Sequence, residues 1–227
     1  MSVDLIVLGD AAAAARRAGE LLAEAARAGG HVALSGGRSP ELAYRTAARI
    51  EPDWRRVDAW WGDERCVPPD DERSNYAMAK RTLLDELTVA PRVHRIRGEA
   101  EPVAAAIEYD QALRGIRLRV NLLGIGPDGH TASLFPNAPG LHERERLAIT
   151  AEPGLDPPVL RVTMTPPMLA NADLVLFLVT GEEKADAVRR AFEERPDDAT
   201  PASRIRSRDG QTIALLDRAA ASGLASI

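Results

Sequence analysis

The sequence has one cysteine, Cys66. It cannot form an intrachain disulfide, and such a chain suits a reducing compartment, so a cytoplasmic protein is expected. Long hydrophobic runs are missing: the most apolar window, Leu174 to Val179, is far short of the ~20 residues that span a bilayer. Near the start, Asp4 stands where a secretory signal would carry basic residues, so no signal peptide is expected. Basic residues are not in excess, because 29 Lys and Arg against 34 Asp and Glu leave a net charge of −5. A nucleic acid or an anionic membrane would need a broad basic face, so neither is expected as a partner. Metal-ligand spacing is also lacking, with only 4 scattered histidines, no paired cysteines and no His-Glu-x-x-His. A Gly-x-Ser-x-Gly elbow is absent, which leaves a serine hydrolase triad without support.

What remains is an ordinary soluble composition, 45% hydrophobic and 28% charged over 227 residues, enough to bury a sizeable core. Apolar runs and helical stretches alternate along the chain. Val3 to Leu8 reads as a strand, and Asp10 can cap a helix from Ala11 to about Ala28 that Gly29 and Gly30 end. Val32 to Leu34 is a second strand, with Ser39 and Pro40 predicted as N-cap and first residue of the next helix. Further strands are read at Val57 to Trp61, Val93 to Ile96, Arg119 to Leu123, Leu147 to Thr150, Leu160 to Met164, Asp173 to Val179 and Thr212 to Leu216. Helices fall between them: Ser74 caps one through Leu87, and others cover Val103 to Leu113, Pro166 to Ala170, Glu182 to Glu194 and Arg218 to Leu224. Such alternation predicts an α/β fold, a mostly parallel sheet with helices on both faces. No repeat or interdomain linker interrupts it, so residues 1–227 are read as a single domain.

Four strands end in residues able to do chemistry: Ser35-Gly36-Gly37-Arg38, Asp63-Glu64-Arg65, Asp128-Gly129-His130 and Thr180-Gly181-x-x-Lys184. In a parallel sheet their ends share one edge, where ligands bind. Two glycines between a strand and a helix start expose backbone N–H groups that suit a phosphate. No Gly-Lys-Ser/Thr follows, so this is not a nucleoside triphosphatase loop. Arg65, Arg161 and Lys184 are candidates to close on the same anion. The centre of the pattern is Val120 to Pro136, an apolar run that breaks into Gly124, Gly126, Pro127 and Gly129 with Asp128 and His130 on the turn. Its Gly-x-Gly-x-x-Gly spacing mimics a dinucleotide fingerprint. Pro136, Pro139 and Gly140 cut the segment after about two turns of helix, which argues against one. His130, able to take and return a proton, is the candidate catalyst.

These motifs together resemble the 6-phosphogluconolactonases. They are Ser35-Gly36-Gly37-x-x-Pro40, Trp61-Gly62-Asp63-Glu64-Arg65-x-Val67-Pro68, Ser74-Asn75-Tyr76, Gly124-x-Gly126-Pro127-Asp128-Gly129-His130-Thr131-Ala132-Ser133-Leu134-Phe135-Pro136, Arg161-Val-Thr-Met-Thr165 with Pro167, and Phe177-Leu-Val-Thr-Gly-x-x-Lys184-Ala185. That family shares a Rossmann-like fold with glucosamine-6-phosphate deaminases and sugar-phosphate isomerases. The chain departs from it at Arg38-Ser39, where Ser-Thr is more usual. The resemblance implies hydrolysis of 6-phospho-D-glucono-1,5-lactone in the oxidative pentose phosphate pathway, without metal or cofactor. It implies His130 as general base on water, with Asp128 supporting it. Gly36, Gly37, Arg65 and Lys184 would hold the 6-phosphate, and Arg38, Ser39, Asp63 and Arg161 complete the substrate-binding set. A sugar-phosphate isomerase or deaminase, or a non-catalytic sugar-phosphate-binding protein, is the alternative. The deaminases usually follow Asp-Gly-His with Ile-Ala-Phe-Asn-Glu, and that Glu is missing here. A monomer or weak homodimer is expected.

Overall fold

The computed structural model describes residues 2–153 and 158–225. Strand β1 (Asp4–Leu8) leads into helix α1 (Ala11–Ala28). Asp10 starts this helix by accepting a hydrogen bond from Ala13 N at 2.7 Å, and Gly29 ends it at a φ of 76° that L side chains rarely adopt. Next come β2 (Gly30–Leu34), α2 (Arg38–Ile50), β3 (Val57–Trp61), β4 (Asp63–Arg65), α3 (Asn75–Thr82) and β5 (Arg92–His94). The second half runs α4 (Pro102–Ala112), β6 (Leu118–Leu123), β7 (Ala148–Ala151), β8 (Arg161–Met164), α5 (Pro166–Leu169), β9 (Ala172–Val179), α6 (Ala185–Phe192) and β10 (Gln211–Asp217).

Seven strands make one sheet in the order β1-β10-β9-β6-β2-β3-β5, and every neighbouring pair is parallel. Helices cover it, which is why the central strands are apolar on both faces; all five residues of β3 are buried. Trp54, Trp61, Tyr44 and Phe177 are among the largest fully buried side chains, each worth roughly 1.5–3 kcal/mol of burial. Helices α1 and α2 pack closely because Gly19 has no side chain: a Cβ there would stand 2.6 Å from Ala43 O.

The order of strands positions the site. From β2 the chain passes through α2 to β3 on one side; from β6 it proceeds to β9 on the other. Strands β2 and β6 are neighbours, so the loops that leave them part and open a crevice at the carboxyl edge.

Four local expectations are corrected. Helix α2 begins at Arg38 with Gly37 as its N-cap, not Ser39, because Gly37 takes a φ of 100° and Ser39 turns its hydroxyl to Thr180 Oγ1 at 2.7 Å. The helix after Ser74 ends at Thr82, and a single 3₁₀ turn at Leu84–Glu86 comes next. No helix occupies residues 130–136; Thr131 to Leu134 is a tight turn closed by Leu134 N on Thr131 O. Arg218 to Leu224 is a run of turns and not a helix. Beyond these, β4, β8 and β7 form a separate three-stranded antiparallel sheet.

Candidate active site

A cavity of about 250 Å3 opens in the crevice. Its wall takes Ser35, Gly36 and Gly37 from the loop after β2, Asp63 and Arg65 from β4, and Asn75 from the start of α3. Gly124 to Pro127, His130 and Ala132 come from the loop after β6, Arg161 from β8, and Lys184 from the turn after β9. The four chemistry-bearing strand ends of the sequence therefore meet in one place.

His130 and Asp128 form a pair. His130 Nδ1 lies 2.6 Å from Asp128 Oδ1, and the same oxygen accepts from His130 N at 3.1 Å. Burial alone would push the Asp128 carboxyl up, but the hydrogen bonds and charge of His130 hold it below the usual aspartate range. An ionised carboxylate only accepts, so the shared proton belongs on Nδ1. The lone pair is then on Nε2, the atom free to accept a proton.

The glycine spacing has its cause here. A Cβ on Gly126 would stand 2.1 Å from His130 Nδ1 and 2.7 Å from Asp128 Oδ1, so only glycine leaves room for the pair. Gly126 also closes the loop, donating to His130 O and accepting from Gly129 N, each at 2.9 Å. Gly126→Ala is expected to fold yet lose about tenfold or more in kcat, because the ring must move off its position. Steady-state kinetics on the purified variant checks this; unchanged kcat would show that the ring position is immaterial.

Basic groups line the same cavity. Nε of Arg65 and Nε of Arg161 are buried without a hydrogen-bond partner among the described residues. Burial lowers the Arg161 pKa, opposed by Asp63, and the nearby Arg65 charge lowers it further. Burial likewise lowers that of Lys184, opposed by Glu183 and Asp217. Desolvated cations of this kind are stabilised by an anion placed among them.

Asp63 is clamped from three sides. Ser133 Oγ donates to it at 2.6 Å, Asn75 Nδ2 reaches its Oδ1 at 3.2 Å and its backbone O at 2.8 Å, and Arg161 Nη1 stands 4.0 Å away. Asn75 also supports the glycine loop, since a Cβ on Gly36 would meet Asn75 Oδ1 at 1.8 Å. Sequence reasoning misses Asn75 and Ser133, because neither belongs to a periodic pattern or a strand end. Their one signal is their place inside the family motifs.

Arg38 and Ser39 lie apart from this cavity. They line a neighbouring one of about 800 Å3 that shares only Pro127 and Lys184 with it. Ser39 Oγ meets Thr180 Oγ1 at 2.7 Å, and the Arg38 charge acts on Lys184. Among the described residues, no group of three or more His, Cys, Asp or Glu side chains is arranged to hold a metal, and no helix is long and apolar enough to cross a membrane.

Comparison with known proteins places the chain in a family. The family described as glucosamine-6-phosphate isomerases/6-phosphogluconolactonase matches residues 9–214. A 6-phosphogluconolactonase of Streptomyces coelicolor is 38% identical over 94% of this chain and 89% of its own. The solved 6-phosphogluconolactonase of Trypanosoma brucei superposes with a TM-score of 0.85 at 27% identity, covering 99% of each chain. A monomeric glucosamine-6-phosphate deaminase superposes with a TM-score of 0.86 over 97% of this chain and 100% of its own, at 20% identity, a likeness of fold alone.

Proposed function

The chain belongs to the glucosamine-6-phosphate isomerase/6-phosphogluconolactonase family, and from that premise we propose that its cavity hydrolyses 6-phospho-D-glucono-1,5-lactone to 6-phosphogluconate. The observation that carries this reading is that His130, paired with Asp128, lines one cavity together with Arg65, Arg161 and Lys184. A base and a group of cations lining one cavity suit a phosphorylated substrate whose other end undergoes attack.

The pair supplies the chemistry. His130 Nε2 takes a proton from water as the water oxygen bonds to the lactone C1, and the carbonyl becomes a tetrahedral oxyanion. Asp128 stabilises the imidazolium through Nδ1. As the oxyanion collapses, the bond from C1 to the ring oxygen breaks and His130 returns the proton to that oxygen. The products are a carboxylic acid and a hydroxyl, and the acid then ionises. Both transfers, to and from the imidazole, are made by His130.

The phosphate is held by the backbone amides of Gly36 and Gly37 with Arg65 and Lys184, and Arg161 lies beside them. Asp63 accepts a hydrogen bond from the Ser133 hydroxyl at 2.6 Å, which holds its carboxylate in place at the cavity wall. Lys184→Ala is expected to raise KM roughly 10–100-fold with a much smaller change in kcat, the loss of one charge-assisted contact to phosphate. Inhibition by inorganic phosphate should weaken in parallel, and an unaltered phosphate inhibition constant would remove Lys184 from the site. The direct discrimination is to offer the lactone and glucosamine-6-phosphate separately. Lactone loss without ammonia release supports the proposal, and ammonia release from the amino sugar contradicts it.

A further inference from the structure

Two buried tyrosine hydroxyls terminate strands of the main sheet, and each does so in the same way. Tyr44 of α2 accepts a hydrogen bond from Ser35 N at 2.8 Å and donates to Ser35 O at 2.7 Å. Tyr109 of α4 accepts from Trp61 N and donates to Trp61 O, both at 2.9 Å. The reason lies in the sheet. Alternate residues of a parallel strand turn their backbone groups to opposite neighbours. Leu34 accepts from Gly62 on the β3 side, so Ser35 turns both groups towards β6, where pairing has already ended at Ala33 and Asn121. Gly62 turns towards β2, so Trp61 turns towards β5, where pairing ends at Trp60 and His94. At each place the neighbouring strand has left, and a phenol completes the ladder for one residue.

The two strands continue differently. After Trp61 the chain is caught at once by a second sheet, with Asp63, Glu64 and Arg65 paired to Thr163, Val162 and Arg161. After Ser35 nothing comparable exists: among the described residues, Ser35, Gly36 and Gly37 make no backbone hydrogen bond to another loop or strand. The Tyr44 hydroxyl is thus the last fixed point before the glycines that line the cavity.

We propose that Tyr44 is a positioning residue for phosphate recognition, holding the Ser35-Gly36-Gly37 loop in the shape that lines the cavity, whereas Tyr109 makes the same hydrogen bonds for stability alone. This rests on the reading of the cavity as a phosphorylated-lactone site. Tyr44→Phe and Tyr109→Phe remove the same two hydrogen bonds from equally buried places, so both should lower Tm by a similar amount, about 2–8 °C. Only Tyr44→Phe should alter recognition, raising KM for the lactone and the dissociation constant of inorganic phosphate about tenfold while kcat stays within about twofold. Tyr109→Phe should leave all three within about twofold.

Equal changes in both variants, or unchanged phosphate affinity in Tyr44→Phe, would overturn the proposal. Should Tyr44→Phe not fold, amide hydrogen exchange on the wild type decides. Saturating inorganic phosphate should slow exchange at Ser35, Gly36 and Gly37 well beyond its effect at Trp61, and equal slowing would refute the assignment. Phosphate affinity is measured by calorimetry without turnover. Failure of the lactonase reading, seen as absent wild-type activity, is therefore distinguishable from failure of this one.

Discussion

Replacing His130 with alanine lowers kcat by about 10²–10⁴-fold, the usual contribution of a positioned general base. The fold should tolerate the change. His130 donates through its backbone N and accepts through its backbone O within the loop, and both groups survive in alanine. The lost side chain contacts Asp128 at 2.6 Å and lies with its ring centre 5.1 Å from that of Phe135, so little packing goes with it. Binding of inorganic phosphate should persist, because Arg65, Arg161 and Lys184 are unchanged. A variant that still binds phosphate and loses turnover assigns the base; one that keeps turnover after subtraction of the spontaneous reaction removes His130 from the chemistry.

The largest effect on stability is expected from Glu64→Ala. Glu64 is only 3% exposed, yet its carboxylate accepts four hydrogen bonds: from Arg65 N at 2.8 Å, Asn75 N at 2.7 Å, Tyr76 N at 2.7 Å and Ser74 Oγ at 2.9 Å. Two of these donors are free N–H groups of the first turn of α3, where the helix dipole also favours a negative charge. Alanine would strand the donors in a buried place. The cost is about 3 kcal/mol or more, or a fall in Tm of about 6–12 °C for a chain of this size. Differential scanning calorimetry reads it, and a fall under a degree would contradict the account.

The pH dependence of that deficit has a definite sign. Burial pushes the Glu64 carboxyl above its ordinary value of 4.5, while the hydrogen bonds from Tyr76, Asn75, Arg65 and Ser74 pull against it. With a folded pKa above the unfolded one, the folded state binds more protons through that window. Its contribution is complete below about 4.5 and declines as pH rises through the raised value. The gap between wild type and Glu64→Ala should therefore narrow from acid towards neutral pH.

The convergence of the site is legible in the sequence for a geometric reason. A parallel sheet sends every strand's carboxyl end to one edge, so Gly36, Asp63, His130 and Lys184 have to meet once their strands are recognised. Strand β4 is not legible as a strand. Asp63-Glu64-Arg65 shows no apolar alternation, and its partner lies about a hundred residues on, in Arg161 to Thr163. Pattern alone cannot reveal a pairing of three polar residues at that distance. Arg38 and Ser39 lie elsewhere because positive φ at Gly37 starts the helix two residues earlier than a serine cap would. The glycine spacing at 124–129 misleads as a motif and makes sense as space: Gly126 is small because an imidazole and a carboxylate stand where its Cβ would be. No periodic pattern marks His31 and His94 either, yet they gather with Trp60 around Asp58: His94 Nε2 lies 2.7 Å from an Asp58 oxygen, and Trp60 Nε1 donates to His31 Nδ1 at 3.1 Å.

The measurement that bears most directly on the central claim is acid release from 6-phospho-D-glucono-1,5-lactone by wild-type protein in a pH-stat, set against the spontaneous opening of the lactone in the same buffer. A lactonase with this cavity gives a rate that rises in proportion to enzyme, saturates with substrate and is inhibited by inorganic phosphate. A rate indistinguishable from the spontaneous one, from folded protein that binds phosphate, would contradict it.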